Sequence, residues 1–170
     1  MSETSRVRDL LAGYCVGDGV DVGYGGDPIT LSAICFDMPN PYNRVGKYPQ
    51  HLRGDARSLP FKDRILDYVY SSHLIEDFTY EEQVNLIMEW FRVLKSGGNL
   101  VLCAPNQQRY LAACKRAGQT GDTINQAHKE ADYSLETFKD KVLTHIHGVK
   151  VIKEWDDVAD YSWCMVISRL

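Results

Sequence analysis

The sequence predicts an α/β fold: one mostly parallel sheet closed by a C-terminal antiparallel hairpin, with reduced helices in its first half. Three observations carry this. Four short apolar runs, "GVDVG", "AICFDM", "DYVYSS" and "NLVLCAP", end in polar or turn-forming residues. Runs without polar alternation suit strands covered on both faces. A capped amphipathic helix separates the third run from the fourth, which makes a βαβ unit. The chain closes with "VKVIKEW" and "YSWCMVISRL", joined by "DDVAD". A connection that short permits only an antiparallel pair.

The elements follow in order. Val7, Leu10, Leu11 and Tyr14 stand at i, i+3, i+4, i+7 and predict a first helix, ended near Gly13 and Gly17. After "GVDVG" there is room for barely one helical turn before "AICFDM" at 33–38. The next stretch, "PNPYNRVGKYPQ", has three prolines and no helical stripe. The first half of the sheet therefore lacks full crossover helices, and a face near residues 39–50 is expected to be open or loop-covered. "HLRG" can add a short strand. Thr79 and Glu82 form a capping-box pattern that starts the best helix. Its expected inner face is Val84, Ile87, Met88, Phe91 and Leu94, and "KSGG" is its expected stop. A further helix is expected over 106–117. The last helix starts at Ser134, with Leu135, Phe138, Val142 and Ile146 on one face and Gly148 as stop.

Length and composition bound the function. At 170 residues the chain is expected to form one domain, 1–170, with a substantial core. A net charge of −4 argues against general nucleic-acid binding. No apolar run approaches the ~20 residues that span a bilayer, and "MSETSRVRDLL" lacks a signal-peptide core. No membrane role and a cytoplasmic location are the expectation. The five cysteines include no C-x-x-C pair, and Cys35, Cys103 and Cys164 sit in apolar runs. They read as small core residues, and no metal site is expected.

In an open parallel sheet, ligands bind beyond the carboxyl ends of the strands. "VDVGYGGDP" puts Gly23, Gly25 and Gly26 there, where the backbone can turn sharply and approach a ligand. The dinucleotide pattern G-x-G-x-x-G needs a glycine at position 28, where this chain has proline. Asp37 ends the second strand and can accept bonds from ribose hydroxyls; it can equally form a turn before Pro39. In "GDARSLPF", Asp55 can accept from an adenine amino group and the Ala56 N–H can donate to a ring nitrogen. Leu59, Pro60 and Phe61 offer a base an apolar wall, or belong to the core. Ser71, Ser72, His73 and Glu76 follow the third clear strand, and His73 is a candidate general base.

Taken together, "VDVGYGGDP", "ICFDM", "GDARSLPFKDRILDYVYSSHLIEDF" and "EWFRVLKSGGNLVLCAP" resemble the class I S-adenosylmethionine-dependent methyltransferases, of the type 11-like kind. The resemblance covers residues 18–105 closely, and the hairpin ending fits that family's Rossmann-like, seven-stranded sheet. It is most specific in "LPF" and in "FRVLKSGG" before "LVLCAP". A narrower likeness is to small methyltransferases associated with polysaccharide biosynthesis, through "GGDP" and the His128-Lys129 pair. The resemblance implies S-adenosyl-L-methionine as cofactor. Gly23 and Gly25 would approach its methionine part, Asp37 its ribose, and Asp55 and Ala56 its adenine. Asp21, Tyr24, Met38, Ser71 and Ser72 complete the implied cofactor set, with His73 close to the sulfonium. Two residues depart from the pattern: Asp27 replaces a third glycine and Tyr24 a small residue. Both would narrow the pocket mouth.

The implied reaction is in-line methyl transfer to a small-molecule or glycan acceptor. His73 and His128 are the candidate bases for a hydroxyl acceptor, with His128 in a polar stretch suited to a lid. A homodimer through the 39–50 face is one expected assembly. Two alternatives stand beside this. A nicotinamide-dependent oxidoreductase shares the fold logic but gives "GDARSLPF" no role. A degenerate methyltransferase-like binding or regulatory protein would explain Tyr24, Asp27 and the short crossovers.

Overall fold

The computed structural model describes residues 2–39, 48–121 and 124–170. The elements run α1 (Glu3–Leu11), β1 (Gly19–Val22), β2 (Ile34–Asp37), β3 (Leu52–Arg53), β4 (Leu66–Ser72), α2 (Tyr80–Val93), β5 (Leu94–Pro105), α3 (Gln107–Arg116), α4 (Leu135–Lys141), β6 (Val149–Val158) and β7 (Ser162–Arg169). Most of the expected face near 39–50 falls on residues 40–47, outside the described residues.

The seven strands form one sheet in the order β3-β2-β1-β4-β5-β7-β6. The first five pair in parallel, and β7 inserts antiparallel between β5 and β6. The apolar runs are buried on both sides because successive side chains enter different cores. Val69, Leu100, Leu102, Trp163 and Met165 pack with Leu86, Ile87 and Trp90 of α2 and Phe138 of α4. The intervening Tyr68, Tyr70, Val101, Cys103, Cys164 and Val166 pack with Val7 and Leu11 of α1. The five cysteines are free and buried, as small core residues. β6 is the exposed edge, and Lys150, Lys153 and Glu154 on it disfavour pairing with another chain. Among the described residues no helix is long and apolar enough to cross a membrane.

No helix joins β1 to β2, as the short crossover predicts: the glycine turn leads directly into bends. Several other expected details are corrected. The inner face of α2 is Leu86, Ile87, Trp90, Phe91 and Val93, whereas Met88 is 56% exposed. The sequence stripe misses this face because Gln83 is polar yet fully buried, its amide donating to the Phe78 carbonyl at 2.8 Å. "KSGG" does not cap α2. The helix passes straight into β5 at Leu94, and Arg169 of β7 donates to the carbonyls of Phe91, Arg92 and Leu94. The glycines instead form an irregularity in β5 opposite Asp67, which pairs with Lys95 at 2.7 Å. Finally, "DDVAD" is not the hairpin turn: β6 continues to Val158, and Ala159 and Asp160 turn the chain with positive φ.

Candidate functional site

The carboxyl ends of β1, β2 and β4 surround a cavity of about 660 Å³. That size is ordinary for a site that engulfs a cofactor. Gly23 starts its floor with φ 73°, a conformation that side chains rarely adopt, and its N–H donates to the Phe36 carbonyl at 2.8 Å. A Cβ there would stand 2.9 Å from Leu74 Cδ2, so the Leu74 side chain would have to shift. Gly25, at φ 58°, donates its N–H to Asp37 Oδ2 at 3.2 Å. This bond ties the glycine turn to the end of β2. Asp37 Oδ1 accepts from the Met38 N–H at 2.8 Å. A carboxylate oxygen can accept more than one hydrogen bond.

Across the cavity, Asp55 and Ala56 stand on the turn after β3. Asp55 is forked by Arg57, with Nη2 to Oδ2 at 2.6 Å, and accepts the Arg57 N–H at 2.9 Å. The Arg57 side-chain bond holds the Asp55 pKa below the usual carboxylate value. The Ala56 carbonyl accepts from Trp90 Nε1 at 2.9 Å, which anchors the turn to α2. Phe36, Leu74 and Phe78 form the apolar wall between these polar ends. Of the residues read as either wall or core, Leu59 lies in the core and Phe61 packs against it, while Pro60 is exposed. Among the described residues, Asp37, Asp55, Asp77 and Glu82 set four carboxylates on the wall against two cations, Arg57 and Lys129. With Arg57 forked to Asp55, this field favours a cationic ligand.

Of the twelve site residues expected from sequence, Gly23, Gly25, Asp37, Met38, Asp55 and Ala56 therefore meet around one cavity. The other six do not line it. Asp21 is fully buried beneath the glycine turn and accepts the Ile29 N–H at 2.7 Å. Burial, opposed by that bond and reinforced by Asp37 and Asp27, pushes its pKa up to about 8. Tyr24 is buried away from the wall, with its hydroxyl donating to the Tyr48 carbonyl at 3.1 Å. Ser71 donates to the Val22 carbonyl at 2.9 Å inside the sheet, and Ser72 is buried beside it. Asp27 does not narrow the mouth either. It pairs with Arg8 at 2.6 Å and accepts from Ser2, clamping α1 to the glycine turn.

His73 and His128 come together in a separate polar cluster, behind the cavity wall. Between them lies Glu76, 2% exposed. Its Oε1 stands 3.4 Å from His73 Nδ1 and 3.8 Å from His128 Nε2. His73 has φ 52°, and its Nε2 meets Ser162 Oγ at 3.0 Å. Burial disfavours its charged form, but interactions with Cys103 and the Glu76 carboxylate outweigh this and raise its pKa well above the ordinary value. His128 has the opposite bias: burial, partly offset by Glu76, lowers its pKa. Sequence reasoning missed Phe36, Leu74 and Phe78 on the wall and Gln107, Tyr110 and Tyr161 around the histidines. Phe36, next to Asp37 at a strand end, was the one with a readable signal.

The comparisons agree with this architecture. The family described as "Methyltransferase domain" matches residues 32–102. No curated protein matches the chain. Among solved structures, the PH0226 protein of Pyrococcus horikoshii is 16% identical with a TM-score of 0.71, covering 98% of this chain and 89% of that one. A SAM-dependent methyltransferase of Archaeoglobus fulgidus is also 16% identical, with a TM-score of 0.69 and coverage of 98% and 92%. The magnesium protoporphyrin IX methyltransferase of Synechocystis, solved with bound SAH, is 18% identical, with a TM-score of 0.59 and coverage of 98% and 82%. The sheet order and these likenesses show the Rossmann-like fold of class I methyltransferases, and residues 32–102 resemble a methyltransferase domain.

Proposed function

We propose that this chain transfers a methyl group from S-adenosyl-L-methionine to a hydroxyl-bearing small molecule or glycan. The carrying observation is the Gly25–Asp37 bond, which fixes the glycine turn and the acidic end of β2 as one surface. The donor set fits the cofactor. Gly23 and Gly25 allow its methionine part close to the backbone. Asp37 presents carboxylate oxygens to the ribose hydroxyls. Asp55 and Ala56 suit an adenine edge, and Phe36, Leu74 and Phe78 exclude water from the flat base. When bound, S-adenosylmethionine supplies a methyl group on an electrophilic sulfonium. The protein's part is then alignment, exclusion of water and a compensating negative field.

The glycan reading rests on "GGDP" and the His128-Lys129 pair. Lys129 lies on the cavity wall, and its N–H donates to the Glu76 carbonyl at 3.0 Å. The degenerate-binder reading loses its main motive, because Tyr24 and Asp27 leave the wall clear. A nicotinamide cofactor remains disfavoured by the proline at position 28. The test is transfer of tritiated methyl from S-adenosylmethionine to a panel of oligosaccharides and small alcohols. Label on oxygen is the expected result. S-adenosylhomocysteine binding without label on any of them would favour a binding protein.

A further inference from the structure

One cation reaches the cavity from outside the strands that would hold the cofactor. Gly23, Asp37 and Asp55 follow β1, β2 and β3, on one side of the sheet order, and β4 and β5 lie on the other. Among the described lining residues, Lys129 alone comes from the chain beyond α2. It is carried by the segment after α3, which is fixed to the β4 side. The Lys129 N–H donates to the carbonyl of Glu76, between β4 and α2, at 3.0 Å. Before it, His128 Nδ1 meets Gln107 Oε1 at 2.7 Å. After it, Glu130 Oε1 accepts the Tyr80 N–H at 3.1 Å. These bonds hold the Lys129 backbone on both sides, so its side chain starts from a set position at the cavity edge. Arg57, the other cation of the described wall, is forked to Asp55. Lys129 forms no ion pair with any described carboxylate.

We propose that Lys129 takes a carboxylate of the acceptor, an inference that rests on the methyl-transfer reading. The acceptor is then a hydroxy acid or an acidic sugar, with the carboxylate as its handle and a hydroxyl as the group methylated. In the transfer the hydroxyl oxygen bonds the methyl carbon, its proton leaves to water, and the C–S bonding pair returns to sulfur. The carboxylate is unchanged. The position fits this role: with the cofactor's base and ribose on the β2–β3 side, the acceptor approaches from the side that Lys129 holds. The charges fit it as well. Asp37, Asp55, Asp77 and Glu82 repel an anion from the rest of the described wall. A single ammonium then decides where an acid sits and how it points. A carboxylate brings one negative charge to that one partner. A phosphate monoester carries nearly two near neutral pH and meets the same four carboxylates. A neutral sugar gains nothing from the lysine.

The experiment titrates probes into the protein saturated with S-adenosylhomocysteine and follows its amides by ¹⁵N NMR. The probes are methyl α-glucoside, its uronate and its phosphate ester, with benzyl alcohol and mandelate as a pair without a sugar. In at least one pair the carboxylic acid should bind ~10-fold more tightly than the neutral alcohol. Added salt should shrink that preference, and the phosphate ester should bind less tightly than the uronate. Lys129→Gln should remove the preference and Lys129→Arg should keep it. S-adenosylhomocysteine affinity should be unchanged in both variants, which also checks the fold. No preference for the acid in either pair overturns the inference, and so does a preference that survives in Lys129→Gln. Tighter binding of the phosphate ester than of the uronate overturns the choice of a carboxylate. Weaker S-adenosylhomocysteine binding by Lys129→Gln overturns the inference too, because it assigns the lysine to the cofactor's own carboxylate. Failure of the wild type to bind S-adenosylhomocysteine is a different outcome, because it refutes the cofactor reading itself.

Discussion

Replacing Asp21 by Asn should stabilise the protein, and by an amount that grows with pH. The side chain is fully buried, and its pKa is pushed from 3.8 up to about 8, first by burial and then by Asp37 and Asp27. In the unfolded chain the same carboxyl ionises with an ordinary pKa. The folded value is the higher one, so Asp21's contribution is fully present below pH ~4 and is lost as pH rises towards about 8. Every tenfold difference in proton affinity between the folded and unfolded chain corresponds to ~1.4 kcal/mol. The penalty at pH 7 therefore approaches ~4 kcal/mol as an upper bound. Asn removes it while still accepting the Ile29 N–H. Its amide donor, placed where Asp21 Oδ1 has no partner, offsets ~1–3 kcal/mol. A net gain of ~1–3 kcal/mol at pH 7 is expected, or several degrees in Tm. Urea unfolding of both proteins at pH 4, 6 and 8 is the assay. A difference that stays constant with pH, or an Asn variant less stable than wild type at pH 8, would show that Asp21 carries no such penalty.

Three further substitutions have expected outcomes. Gly23→Ala combines a positive φ with a Cβ 2.9 Å from Leu74 Cδ2; S-adenosylhomocysteine binding should be lost in calorimetry while far-ultraviolet circular dichroism is retained. Tyr24→Phe removes a hydroxyl that donates to the Tyr48 carbonyl, away from the cavity wall, so the same calorimetry should return wild-type affinity. Trp90→Phe loses the bond to the Ala56 carbonyl and should destabilise the fold by ~1 kcal/mol in urea unfolding.

The strands and the capped helix were legible because their signals are local. Continuous apolar runs mark strands covered on both sides, and Thr79 with Glu82 forms a capping box that depends on four residues alone. What failed depended on distant partners. The glycines after α2 look like a cap, but the carbonyls they would serve are taken by Arg169 from the far end of the chain. Met88 fits the apolar stripe, yet it is exposed, while polar Gln83 is buried with its amide donating to the Phe78 carbonyl. The site divides in the same way. Gly23, Gly25, Asp37 and Asp55 stand at strand ends, where chain position decides exposure to the cavity. For Asp27 and Tyr24 the partner decides: Arg8 and the Tyr48 carbonyl draw them off the wall. His73 and His128 are far apart in sequence, and only the fold brings both against Glu76, whose carboxylate opposes the effect of burial on each.

Everything proposed for this chain depends on the cavity binding S-adenosylmethionine through Asp37, and calorimetry with S-adenosylhomocysteine and NADH decides it. One S-adenosylhomocysteine should bind per chain, and NADH should not compete. Asp37→Ala should weaken that binding at least ~10-fold, since hydrogen bonds to a charged acceptor are worth ~1.5–3 kcal/mol each. Binding of NADH without S-adenosylhomocysteine, or undiminished S-adenosylhomocysteine affinity in Asp37→Ala, would be incompatible with it.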